Sequence, residues 1–126
     1  MAATIVAWVE DLFFLAKIRE TARAVGVTVV TNDSRRDSAA IAEAHPKAIV
    51  VDLNSSGRSV LDWIRAVKSD PTTRPIRVVG FVSHVQEELI SAARAAGCDA
   101  VMARSALAQQ LPNLIQSLAS ACETDS

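Results

Sequence analysis

Three carboxylates carry the chemistry this sequence offers: Glu10, Asp11 and Asp52. Each follows an apolar run. Thr4-Ile5-Val6-Ala7-Trp8-Val9 leads into Glu10-Asp11, and Lys47-Ala48-Ile49-Val50-Val51 leads into Asp52. The second run is bounded by Pro46 and by Asn54-Ser55-Ser56-Gly57, so it reads as a strand buried on both faces, as in parallel sheets. Open sheets of that kind hold ligands beyond the carboxyl ends of their strands. Acids gathered at one such edge raise one another's pKa unless a cation lies among them. A hard divalent ion such as Mg2+ accepts all-oxygen ligands and keeps several waters, so two or three carboxylates and a carbonyl suffice. Taken singly, Asp52 also reads as a loop cap, and Glu10 and Asp11 as charges at a helix N-terminus. That reading accounts poorly for all three together.

The elements that must position these acids alternate regularly. After the first strand, Leu12 to Val25 reads as a helix with Leu12, Leu15, Ile18, Ala22 and Val25 as its apolar stripe, ended by Gly26. Val27 to Thr31 is a β-branched strand. Arg35 to Ala44 reads as an Ala-rich helix closed by Pro46. Beyond Asp52, Val60, Leu61, Ile64 and Val67 mark a helix ending near Ser69-Asp70-Pro71. Ile76 to Val82 is a strand, Gln86 to Ala96 a helix closed by Gly97, and Asp99 to Ala103 a short strand. Leu107 to Ala121 is a last helix with Leu107, Leu111, Leu114, Ile115 and Leu118 on one stripe. Pro112 is expected in its first turn, since an interior proline costs ~3 kcal/mol. Strand and helix alternate five times, which predicts a parallel sheet with helices on both faces and right-handed crossovers. One domain over residues 1–121 and a flexible tail over 122–126 are expected.

Composition narrows the function classes. The 126 residues are 50% hydrophobic and 21% charged, a folding composition, and the net charge of −1 points to neither nucleic acid nor an anionic membrane. Glu10, Asp11, Lys17 and Arg19 interrupt the first hydrophobic segment, and no signal-peptide pattern precedes it, so a cytoplasmic location is expected. Cys98 and Cys122 form no CxxC motif, and His45 and His84 have no cysteine at metal-ligand spacing, so no transition-metal site is read. Core packing is favoured for Trp8 and Trp63, although Trp63 lies off the main stripe of its helix.

Along nearly its whole length the chain resembles the receiver domain of two-component response regulators, of the chemotaxis-regulator type. The resemblance rests on Val9-Glu10-Asp11, Val50-Val51-Asp52-Leu53-Asn54, Pro71-Thr72-Thr73-Arg74-Pro75-Ile76 and Ala95-Ala96-Gly97-Cys98-Asp99. It implies a flavodoxin-like (βα)5 fold with strand order 2-1-3-4-5. It further implies that Asp52 accepts a phosphoryl group from a histidine kinase or phosphotransfer protein. Glu10 and Asp11 would hold Mg2+ together with Asp52 and the backbone carbonyl of Asn54. A signalling domain rather than an enzyme is expected. Its partner or homodimer surface would lie on Gln86–Ala96 and Ala100–Ala121.

The departures from the family pattern would make this an atypical member of that family. Arg104-Ser105 stands where the family has lysine and proline, and arginine is longer, planar and forked. A gapless count from Gly97 puts Val82 in the slot of a switching Ser or Thr, with Ser83 one residue on. A one-residue slip would turn every side chain of the strand over, which favours Val82. Val101 occupies the switching-aromatic position, and the proline expected soon after Asp52 is missing. The alternative is therefore a phosphorylation-independent pseudo-receiver that acts as a protein-interaction module.

Other classes fit less well. A phosphate-binding small-molecule domain would want a Gly- or Thr-rich cradle where Glu10-Asp11-Leu12 stands. A phosphoaspartyl hydrolase would want a cap domain, and a DNA-binding regulator would want a basic recognition helix.

Overall fold

A computed structural model describes residues 4–9, 11–31, 46–54, 58–83 and 86–124. Its elements in chain order are β1 (Thr4–Trp8), α1 (Leu12–Ala24), β2 (Thr28–Thr31), β3 (Ala48–Asp52), α2 (Arg58–Ser69), β4 (Arg77–Val82), α3 (Glu87–Ala96), β5 (Ala100–Ala103) and α4 (Arg104–Thr124). The strands form one parallel sheet in the order β2-β1-β3-β4-β5, as expected. The helix expected over Arg35–Ala44 lies outside the described residues.

Successive strand residues point to opposite faces, and this period of two divides the core into two layers. Ile5 and Ala7, Ala48 and Val50, and Val79 and Phe81 pack against α1 and α4 through Phe14, Ile18, Leu107, Leu111 and Ile115. Val6 and Trp8, Ile49 and Val51, and Val78 and Val82 pack against α2 and α3 through Val60, Trp63, Ile64, Val67, Ala93 and Ala96. Every residue of β3 is buried, as its unbroken apolar run demands. Trp8 and Trp63 are both core residues and meet edge to face, with ring centroids 5.0 Å apart. Among the described residues no helix is long and apolar enough to cross a membrane.

The structure corrects three details. The buried face of α1 runs through Phe14, Leu15, Ile18 and Ala22, whereas Leu12 is 76% exposed. Asp11 caps the helix, which fixes the rotation at which it meets the sheet, and Phe14 takes the place expected for Leu12. The last helix begins at Arg104 rather than Leu107, so Pro112 lies in its interior. Pro112 is exposed while Leu107, Leu111 and Ile115 are buried. Three such side chains at about 1.5–3 kcal/mol each outweigh the ~3 kcal/mol cost of the proline. The helix also continues through Cys122 to Thr124, three residues into the expected tail.

Candidate functional site at the carboxyl edge of the sheet

Parallel pairing gathers the carboxyl ends of β1, β3, β4 and β5 at one edge, where α1 and α4 begin. Asp11 is the N-cap of α1. Its backbone is extended (φ −73°, ψ 109°), and Oδ1 accepts hydrogen bonds from the N–H groups of Phe13 at 2.9 Å and Phe14 at 3.2 Å. These satisfy donors that a helix start leaves without partners. The other oxygen, Oδ2, is paired with the guanidinium of Arg104, the first residue of α4. The Arg104 guanidinium also lies over the Phe14 ring, 5.2 Å from its centroid, a cation–π arrangement. The Phe14 N–H, the Arg104 charge and the Phe13 N–H together hold the Asp11 carboxyl below its ordinary pKa of 3.8, against partial desolvation.

Asp52 ends β3, is 8% exposed and is paired in register with Phe81. Alternation along β3 assigns it to the sheet face of Ala48 and Val50, the face that α1 and α4 cover. Its Oδ1 accepts the N–H of Asn54 at 3.0 Å. The N–H of Leu53 donates to the Phe81 carbonyl at 3.0 Å, which ties the loop after β3 to β4.

The two residues weighed for the hydroxyl slot part company. Val82 is the last residue of β4, paired with Ala103, and its side chain is buried on the α2–α3 face. Ser83 is exposed and lines a cavity of about 460 Å³ with Phe13, Phe14, Lys17, Arg104 and Ser105. Of the two, Ser83 shares that cavity with Arg104. Val101 is half-buried against the α2–α3 layer.

Asp11 and Arg104 therefore meet, and Asp52 stands at the same edge on the same face of the sheet. Glu10 lies outside the described residues. Among the described residues no three Asp, Glu, His or Cys side chains form a metal-sized cluster. The described donors, Asp11, Asp52 and the carbonyl of Asn54, are all oxygen and suit a hard divalent ion. Such an ion would share Asp11 with Arg104.

Two participants escape a reading by spacing. Phe14 carries the Arg104 guanidinium, and its position three residues after an N-cap aspartate was the available signal. Gln86 is the other, since its Oε1 accepts a hydrogen bond from Asn54 Nδ2 at 2.7 Å. Nothing local in the sequence marks a contact across 32 residues.

Compared with models of protein families the chain matches none, and no curated protein sequence matches it. Solved structures do match. The chemotaxis protein CheY4 of Vibrio cholerae superposes with a TM-score of 0.77 at 17% identity, covering 94% of this chain and 99% of CheY4. The phosphorylated cyanobacterial phytochrome response regulator RcpA gives 0.70 at 23% identity, covering 94% and 91%. The Mn2+-bound form of the response regulator Rcp1 gives 0.67 at 18% identity, covering 92% and 91%. The chain has the fold of the response-regulator receiver domain.

Proposed function

We propose that this chain is a cytoplasmic signal-relay domain in which Asp52 accepts a phosphoryl group from a histidine kinase or phosphotransfer protein. One observation supports the reading above others. The carboxylate of Asp52 ends the central strand of a receiver fold, on the sheet face whose two covering helices begin at Asp11 and Arg104. A carboxylate oxygen of Asp52 attacks phosphorus, the new O–P bond forms as the P–N bond of a phosphohistidine breaks, and the imidazole leaves with a proton from solvent. The Asn54 N–H orients the attacking carboxylate. Arg104, paired with Asp11 at the same edge, would supply the positive charge that transfer between two anionic groups requires. Glu10, Asp11, Asp52 and the Asn54 carbonyl would hold Mg2+, which when bound neutralises the phosphoryl oxygens. Output passes to a downstream protein or a second copy through Gln86–Ala96 and Ala100–Ala121.

The test is intact-protein mass after incubation with a small phosphodonor and Mg2+, for the wild type and for Asp52→Asn. A metal-dependent gain of one phosphoryl group in the wild type alone is the expected result.

A second reading has its own support. Arg104 already gives Asp11 a cation, and Val82 puts an apolar group where a hydroxyl is usual. A receiver-shaped interaction module that works without phosphate would look this way. No mass gain combined with no Mg2+ binding would favour it over the first reading.

A further inference from the structure

Asn54 follows the acceptor aspartate by two residues and uses its side chain in a way that neither phosphoryl transfer nor metal binding requires. Its Oδ1 accepts the N–H of Ser83 at 2.7 Å, and its Nδ2 donates to Gln86 Oε1 at 2.7 Å. Both halves of the amide are engaged, and only one orientation fits, because a flipped amide would set a donor against the Ser83 N–H. At the same time its backbone N–H donates to Asp52 Oδ1. Asn54 thus touches the acceptor carboxylate through its main chain and the β4–α3 connection through its side chain.

Gln86 is the N-cap of α3 and makes no side-chain capping bond. Its side chain is turned to Asn54 instead of to the first turn of its own helix. The carbonyl of Gln86 accepts the N–H of Ile90 at 3.0 Å, the first bond of that helix. A continuous path therefore runs from Asp52 through Asn54 to Ser83, and to the start of α3 through Gln86.

We propose that Asn54 is a positioning residue that couples the chemical state of Asp52 to Ser83 and to the N-terminus of α3. The switching input rests on the phosphoryl-transfer reading given above. A carboxylate accepts the Asn54 N–H as a charge-assisted bond, and charge-assisted bonds are roughly twice as strong as neutral ones. Phosphorylation of one carboxylate oxygen forms a mixed anhydride and leaves the other oxygen of Asp52 as a neutral carbonyl acceptor. The Asn54 main chain is then less firmly held, and its side chain carries the change to both partners. This route bypasses Val82, which has no hydroxyl to move.

Amide hydrogen exchange by NMR tests the coupling in a form that needs no phosphodonor. Asp52→Asn neutralises the acceptor directly. In the otherwise wild-type chain it is expected to speed exchange of the Ser83 and Ile90 amides up to about fivefold, the scale of the difference between a charge-assisted and a neutral hydrogen bond. In an Asn54→Ala background the same change is expected to leave both rates unaltered. In Gln86→Ala it is expected to act on Ser83 alone. Asn54→Asp retains the acceptor for Ser83 and loses the donor to Gln86, so it should behave like Gln86→Ala. Unchanged exchange on Asp52→Asn, or an equal effect with and without Asn54, overturns the proposal. Mass measurement decides phosphorylation separately, so the two ideas fail by different observations.

Discussion

The guanidinium of Arg104 is bound on one side by the carboxylate of Asp11 and on another by the ring of Phe14. A lysine ammonium could form the first contact, but a planar guanidinium stacks better on an aromatic face while its fork reaches sideways to an acid. The contact with Phe14 therefore favours arginine over lysine at this position. Removing Arg104 should free Asp11 for a metal. If the proposed Mg2+ site exists, Arg104→Ala is expected to tighten Mg2+ binding severalfold by isothermal titration calorimetry, whereas Arg104→Lys should give an intermediate value. The pair is partly exposed, so its contribution to stability is small.

Asp11 also has a duty to the helix. Asp11→Ala removes the cap of α1 and is expected to cost about 0.5–2 kcal/mol in urea unfolding, while Asp11→Asn keeps most of that through its side-chain oxygen. The carboxyl is held below 3.8, so the unfolded chain takes up its proton first as pH falls. Its stabilising contribution is complete at neutral pH and fades from about 3.8 downward, through the lower folded value. Wild type minus Asp11→Asn, measured from pH 6 to pH 3, should show that decline.

At the opposite edge Lys68 is held by the carbonyls of Arg74 and Ile76 and by Asp99 Oδ2, at 3.1, 2.7 and 2.8 Å. Asp99 Oδ2 also accepts the N–H of Val78 at 2.8 Å. Lys68→Met leaves these acceptors without their shared donor and is expected to lower stability by about 1–3 kcal/mol. Gly97→Ala should cost about as much. Gly97 has φ +119°, and a Cβ there would lie 2.6 Å from the fixed Lys68 side chain. Chemical denaturation checks both.

Cys98 is 9% exposed, and burial, reinforced by the charge of Asp99, pushes its thiol up to about 11. The fold holds the protonated form, so stability should fall as pH rises from 9.0, where the unfolded thiol ionises, towards 11. In a Cys122→Ser background, labelling of Cys98 by a thiol reagent at neutral pH should be slow when native and immediate in denaturant. Fast labelling of the native protein would contradict its burial.

The alternation of strands and helices was plain in the sequence because every strand that feeds a parallel sheet is an apolar run ended by a polar or small residue. The sheet order came from a family likeness, and the strands pair in that order; the acceptor role proposed for Asp52 came from the same likeness. Local rotation was harder to read. Leu12 and Phe14 are both apolar near the start of one helix, and only the geometry of the Asp11 cap decides which one is buried. Pro112 misled for a similar reason, since a local penalty was weighed without the burial that surrounds it. The side-chain bonds of Asn54 and Gln86 were illegible because they join exposed polar residues distant in sequence.

The contact between Trp8 and Trp63 has a practical use. Trp8 ends the strand that leads to the acidic edge, and Trp63 lies in α2, the helix that follows β3. Two indoles at nearly perpendicular orientation and van der Waals distance couple their electronic transitions, which gives a paired band in far-ultraviolet circular dichroism that neither ring produces alone. Because the chain contains just these two tryptophans, the band is an optical gauge of how the first strand and that helix are seated. It can be followed without label or substitution while the acidic edge is loaded.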